Sequence, residues 1–168
     1  DIYIDGLEFA FSRANADVNI IQSDARAIPY LEHFDVIGAY DCIEHITEDE
    51  RALEQMLNAV KPEGIVVLTV PQHPFLWSNT DERSKHKRRY TRMELQTKLK
   101  NAGFDVIRST SFTVFLFPLM VLARLAERHT QSFCRESATD GMHLHPVVNW
   151  LLRKIMNFEV ALSNCGMD

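Results

Sequence analysis

Apolar runs alternate with amphipathic stretches along the first two thirds of this chain, and the alternation predicts its elements. Leu7, Ala10, Phe11 and Ala14 recur at i, i+3, i+4 and i+7, which predicts an amphipathic helix over Gly6–Ala14 with Asp5 as its N-cap. Val18–Gln22 (VNIIQ) is short and β-branched and reads as a strand, after which Ser23, Asp24 and Ala25 mark the end of apolar character. IPYLEH then leads into Phe34–Tyr40 (FDVIGAY), a run of mainly β-favouring residues expected of a strand buried on both faces of a parallel sheet. Asp41 closes that run.

Thr47 and Glu50 have the spacing of a capping box, and Leu53, Met56, Leu57 and Val60 give the stripe of the helix it opens. Lys61–Gly64 (KPEG) predicts a turn, with Pro62 stopping the helix and Gly64 allowing positive φ. Ile65–Val70 (IVVLTV) predicts a second doubly buried strand, ended by Pro71. Gln72–Tyr90 is a polar, aromatic and basic loop, of a length that is usually functional. Thr91 and Glu94 repeat the capping spacing before a helix with Leu95, Leu99 and Ala102 that ends at Gly103, and Phe104–Ile107 starts the last evident strand. Alternating strands and helices predict the α/β class with a doubly wound, mostly parallel sheet.

Beyond Phe112 the chain becomes strongly apolar (FTVFLFPLMVLARLAERH). Thr130–His143 is a polar connection, and Pro146–Leu162 predicts a helix with Leu151, Ile155, Phe158 and Leu162 on one face and Pro146 at its first position. Residues 113–168 are therefore expected to form a helical insertion that packs on or covers the core. A lid, a homodimer face or a groove for a lipid-like substrate is the sharper reading of the same residues.

Composition narrows the class. With 168 residues, 46% hydrophobic and 24% charged, the chain suits one soluble domain with a real core. A net charge of -5 argues against bulk nucleic-acid binding. Cys42, Cys134 and Cys165 are odd in number and widely spaced, so no disulfide framework or zinc knuckle is suggested and a reducing cytoplasm is the default location. No signal peptide is evident, and the longest uncharged run, Ser109–Ala123, falls short of the ~20 residues that span a bilayer.

Candidate chemistry gathers at strand ends, because ligands of open α/β sheets sit beyond the carboxyl ends of the strands. Asp41, Glu44 and His45 follow Phe34–Tyr40 as D-x-x-E-H. His45 is a candidate general base, with His73 second, since imidazole titrates near neutrality. The same D-x-x-E-H offers two oxygens and an imidazole to a divalent metal; capping of the following helix by Glu44 and His45 is the competing reading and is preferred. In the basic loop, six positive charges between Arg83 and Arg92 accompany Trp77 and Tyr90. Arg88 and Arg89 could grip a phosphate or carboxylate of an anionic substrate, and a solvated charge run is the plainer alternative.

Taken together, DIYIDGLEFA, IQSDARAIPY, FDVIGAYDCIEHI, LNAVKPEGIVVLTVPQH and YTRMELQTKLKNAGFDVI resemble, in order and spacing, the signatures of class I S-adenosylmethionine-dependent methyltransferases over about Asp1–Phe112. The resemblance implies a Rossmann-like methyltransferase fold. It assigns Asp1 to the cofactor's ribose hydroxyls, Ile2 to the adenine, Asp24 and Ala25 to the adenine edge, and Tyr40 and Asp41 to the methionine end. D-x-x-E-H is similar to the E-x-x-E-H of some metal-assisted O-methyltransferases, with Asp for the first Glu.

The family's glycine-rich loop has no counterpart, since Gly6, Gly38, Gly64, Gly103, Gly141 and Gly166 are all isolated. The expectation is a core over residues 1–112 truncated at both ends, without the family's central first strand and its last. The implied activity is methyl transfer from S-adenosylmethionine to a small or lipid-like acceptor, such as an oxygen. A nicotinamide-binding Rossmann oxidoreductase and a non-catalytic module that binds through the basic loop are the rival classes.

Overall fold

The computed structural model describes residues 2–14, 17–122 and 145–164, so Asp1 and the connection Thr130–His143 lie outside the described residues. The chain divides into two compact units, Asp1–Pro74 with Lys85–Ile107 and Phe75–Ser84 with Arg108–Asp168. No described helix is long and apolar enough to cross a membrane.

The first unit is α/β and Rossmann-like. Helix α1 (Ile4–Arg13) precedes strand β1 (Phe34–Tyr40), a 3-10 turn (Ile43–His45), helix α2 (Asp49–Ala59) and strand β2 (Val60–Thr69). β1 and β2 are parallel, in register from Val36 opposite Ile65 to Tyr40 opposite Thr69. Such a pair requires a crossover, and α2 supplies it. Helix α2 turns Ala52, Leu53, Met56 and Ala59 inward, all buried, onto Ala39 and Ile43. Removing a leucine or methionine side chain from water contributes roughly 1.5–3 kcal/mol, so this face fixes the helix on the sheet. Tyr90 completes the cluster, with Leu95 and Leu99 packed against it. These two belong to the helix after α2 in this unit, Arg92–Asn101, whose N-cap Thr91 accepts from the Glu94 amide at 3.1 Å as its spacing predicts.

Several expectations are corrected. Neither strand is buried on both faces: Val36 and Tyr40 on β1 and Ile65 on β2 remain exposed. β1 pairs only with β2 among the described residues, so one of its edges carries no strand there. VNIIQ and Phe104–Ile107 are irregular for the same reason, because an extended segment becomes a strand only by pairing. The capping box at Thr47 does not form; the N-cap of α2 is Glu48, without a side-chain bond, and Tyr3 rather than Asp5 precedes α1. KPEG is not a free turn but part of β2, where the register shifts between Phe34 and Val36. The positive φ belongs to Glu63, at 67°, while Gly64 is needed for closeness: a Cβ there would sit 2.6 Å from Val60 Cγ2 and 3.0 Å from the Asp35 carbonyl.

In the second unit, helix α3 (Asn79–Arg83) is opened by a capping box in which the Ser78 hydroxyl accepts from Thr80 and the buried Asp81 carboxylate accepts from the Ser78 amide at 2.9 Å. Numbering onward, α4 is Arg92–Asn101 of the first unit and α5 is Pro146–Asn164, with Pro146 first as expected. The face of α5 differs from the predicted one. Leu151 and Phe158 are exposed, and the buried position is Glu159, whose two oxygens accept from the amides of Val114 and Phe115 at 2.9 and 3.2 Å. Those amides open a turn leading into helical residues 117–122, so the carboxylate satisfies donors that a helix start leaves unpaired.

Candidate active site

Pairing of β1 and β2 brings their carboxyl ends together. Tyr40 ends β1 with its ring exposed, folded back toward the space beside Gly38, where a Cβ would come 2.8 Å from the ring. Asp41 follows in the left-handed region at φ 47°, a conformation that Asp tolerates better than most residues. Its amide donates to the Thr69 carbonyl at 3.0 Å, and its Oδ1 accepts from the Thr69 hydroxyl at 3.1 Å. This cross-strand tie fixes the acid at the sheet's edge.

The chain then enters the 3-10 turn. Ile43 is buried and anchors it in the core, which forces the next side chain, Glu44, to full burial as well. Neither Glu44 oxygen has a hydrogen-bond partner from another side chain or backbone group among the described residues. Burial drives its carboxyl up from the ordinary range, and the nearby Asp41 charge adds to this, partly offset by its own backbone amide and then by His86. His45 is half-exposed and its ring meets that of His86 edge-on, with centroids 4.7 Å apart. Burial, followed by the His86 charge, lowers the His45 pKa, against a hydrogen bond to the Lys85 backbone and the field of Asp41. The neutral imidazole, with a lone pair to offer, is thus favoured near pH 7.

Residues of the basic loop hold this corner from beneath. The Lys87 amide donates to the Glu44 carbonyl at 2.8 Å. Arg88 forks between Asp49 Oδ1 and the Thr47 carbonyl, each at 2.8 Å, and Lys98 meets the same Asp49 oxygen at 3.0 Å. The Tyr90 hydroxyl donates to Asp49 Oδ2 at 2.8 Å; burial first, then Asp49, raises the phenol pKa. Asp49 itself is lowered, because the bonds from Tyr90 and Lys98 and the charge of Arg88 outweigh the desolvation that opposes them.

Other expected residues fall as follows. Arg88 and Tyr90, read as substrate contacts, are committed to the internal network around Asp49, which the sequence could not reveal because Asp49 looked like an ordinary first-turn acid. Arg89 donates to the Gln72 carbonyl at 3.0 Å, beside an isolated bridge between Gln72 and Tyr90. His73 adopts φ 65° and its amide donates to the Tyr90 carbonyl at 3.1 Å. Trp77 belongs to the second unit. Asp24 accepts a two-pronged contact from Arg26, at 3.1 Å from Nε and 2.7 Å from the terminal nitrogen, and also accepts from the Arg26 amide. These Arg26 side-chain bonds, first of all, hold its pKa at about 2. The acid expected at an adenine edge closes a turn, with Ala25 inside that turn. The Ile2 carbonyl accepts from Gln22 at 2.9 Å. A hollow of about 580 Å³ lies over Thr47, Glu54, Arg88 and Lys98, and none of the expected cofactor residues lines it.

Residues 4–109 match the family model described as Methyltransferase domain. No curated protein matches the chain. Among solved structures, a chain from the complex between the Haloferax volcanii Trm112 methyltransferase activator and a candidate methyltransferase is similar at 15% identity and TM-score 0.61, covering 68% of this chain and 53% of that one. A candidate methyltransferase from Bacillus halodurans C-125 is similar at 16% identity and TM-score 0.56, over 82% of this chain and 68% of its own. A phosphoethanolamine N-methyltransferase 2 of Haemonchus contortus, solved with phosphomonomethylethanolamine and S-adenosylhomocysteine, shares 21% identity at TM-score 0.51, over 74% of this chain and 30% of its own. The chain thus spans about half the length of the first of these. At such identities the likeness is one of fold.

Proposed function

Since the chain belongs to the methyltransferase-domain family, we propose that it takes part in methyl transfer from S-adenosylmethionine to a small or lipid-like acceptor, at oxygen. The family match over residues 4–109 carries this reading. The sheet supports it, because β1 and β2 end side by side and Tyr40 and Asp41 stand at that edge.

The residues present fit part of such a cofactor. Tyr40 offers an exposed aromatic face, and Asp41 uses only Oδ1 toward Thr69, which leaves Oδ2 without a partner among the described residues and able to accept. Asp24 fits less well, with its oxygens turned to Arg26. Tyr40 and Asp41 are therefore the proposed cofactor contacts, with Ile2, Ala25 and Asp1 completing the family's set by resemblance.

A bound sulfonium supplies a methyl group already activated for displacement. What remains for the protein is alignment, exclusion of water and removal of the acceptor's proton. Methyl transfer to a hydroxyl would release its proton, which a base of the protein would take. His45 is the proposed base, neutral near pH 7, with His73 the second candidate. Transfer of labelled methyl to a panel of hydroxylated small molecules and lipids tests the reading. His45→Gln should lower kcat by about 100-fold or more and leave cofactor affinity unchanged. Unchanged kcat would remove His45 from the role.

A further inference from the structure

We infer that Glu44, His45 and His86 form a binding site for a divalent first-row transition ion such as Zn2+. The triad differs from Asp41, Glu44 and His45, the set suggested by spacing, because Asp41 is tied to Thr69 and His86 arrives from the basic loop. Each of the three offers one ligand atom, and the three atoms lie within 4.8 Å of one another. Ligands at ~2.1 Å on a tetrahedral ion stand about 3.4 Å apart, so the three atoms would have to close by about 1.4 Å at most.

Glu44 provides the independent reason. It is fully buried, and among the described residues both its oxygens lack a hydrogen-bond partner. A buried carboxylate in that condition costs several kcal/mol, and among the described residues no lysine or arginine pairs with it; Arg88 and Lys98 both meet Asp49. The imidazoles of His45 and His86 face it, with His45 Nε2 3.9 Å from Oε1, and the Asp41 carboxylate adds a second negative charge nearby. A cation bound by all three would neutralise the carboxylate and occupy its empty acceptor sites.

Donor type sets the class of ion. Two imidazole nitrogens with one carboxylate oxygen suit zinc, iron or their neighbours, whereas magnesium and calcium select oxygen sets. Three protein ligands leave a coordination position open. The supporting shell is also present: the His45 ring is held by a hydrogen bond to the Lys85 backbone, and the Lys87 amide fixes the Glu44 carbonyl. The segment carrying His86 is therefore clamped to the turn carrying the other two ligands.

The inference goes beyond the methyl-transfer reading and does not depend on it. With an ion bound, the lone pair of His45 is taken and the base role falls to the second candidate, His73. Calorimetric titration of Zn2+ into the chelator-stripped full chain tests the site, with Co2+ absorption as a second readout. One ion per chain is expected, with Kd raised at least tenfold by Glu44→Gln and by His86→Asn and unchanged by His73→Asn. Folding of each variant is followed without metal, where Glu44→Gln should be no less stable than wild type because it removes a buried charge. Absence of binding, or equal binding by all variants through scattered histidines, would overturn the proposal. S-adenosylhomocysteine titrated into the same variants separates the two readings, since His86→Asn should leave it unaffected.

Discussion

Asp49→Asn removes one charge from the point where α2, α4 and the basic loop meet. The carboxylate is almost wholly buried and receives Arg88 at 2.8 Å, Lys98 at 3.0 Å and the Tyr90 hydroxyl at 2.8 Å. An asparagine keeps the shape but presents an amide donor to part of this ring of donors, and it leaves Arg88 without its anion and Lys98 with only the exposed Glu50. Breaking such a pair from one side costs about 3–5 kcal/mol. For a chain of this size that lowers Tm by roughly 6–20 °C. Both tryptophans, Trp77 and Trp150, lie in the second unit, so urea titration followed by far-UV circular dichroism is the suitable assay. The pH dependence fixes the cause. Because the folded pKa of Asp49 lies below its ordinary value of 3.8, its stabilisation is complete above that value and is lost as pH falls through the folded pKa. The gap between wild type and variant should therefore narrow in acid. A loss below about 1 kcal/mol at pH 7, the scale of a surface pair, or a gap that persists in acid, would refute the account of this network.

Two further substitutions probe the packing. Gly64→Ala should cost about 1–3 kcal/mol by overpacking, because the new methyl meets Val60 and two backbone carbonyls, while Gly38→Ala should cost less because it meets only the movable Tyr40 ring; equal losses in denaturant titration would contradict this. Glu159→Gln turns an amide donor toward the Val114 or Phe115 amide and should weaken the second unit by about 1.5–3 kcal/mol, read by Trp150 fluorescence; an unchanged transition would show that this buried carboxylate contributes little.

Local patterns carried much of this fold. The period of α2, the cap at Thr91, Pro146 at a helix start and the parallel placement of FDVIGAY and IVVLTV all follow from neighbours close in sequence. What was missed depended on partners distant in the chain. VNIIQ has the composition of a strand, yet composition cannot supply the second strand that makes it one. Gly64 signalled a turn by type, whereas its function is to let Val60 and the Asp35 carbonyl approach. Arg88 and Tyr90 looked like contacts for a ligand because Asp49, their actual partner, sat unremarked at the start of α2. D-x-x-E-H did point to Glu44 and His45, but neither the burial of Glu44 nor the approach of His86 could be read from spacing. Asp24 was legible as an acid at the end of apolar character, and Arg26 two residues on was the cue to its turn.

The central claim is that the adjoining ends of β1 and β2 hold an adenosyl sulfonium cofactor through Tyr40 and Asp41. Isothermal titration of S-adenosylhomocysteine into the full chain, with NAD as comparator, tests it most directly. The account predicts saturable binding of one molecule, weakened about tenfold by Asp41→Ala, and no saturable binding of NAD. Binding of NAD in preference, or S-adenosylhomocysteine affinity indifferent to both Tyr40 and Asp41, would contradict it.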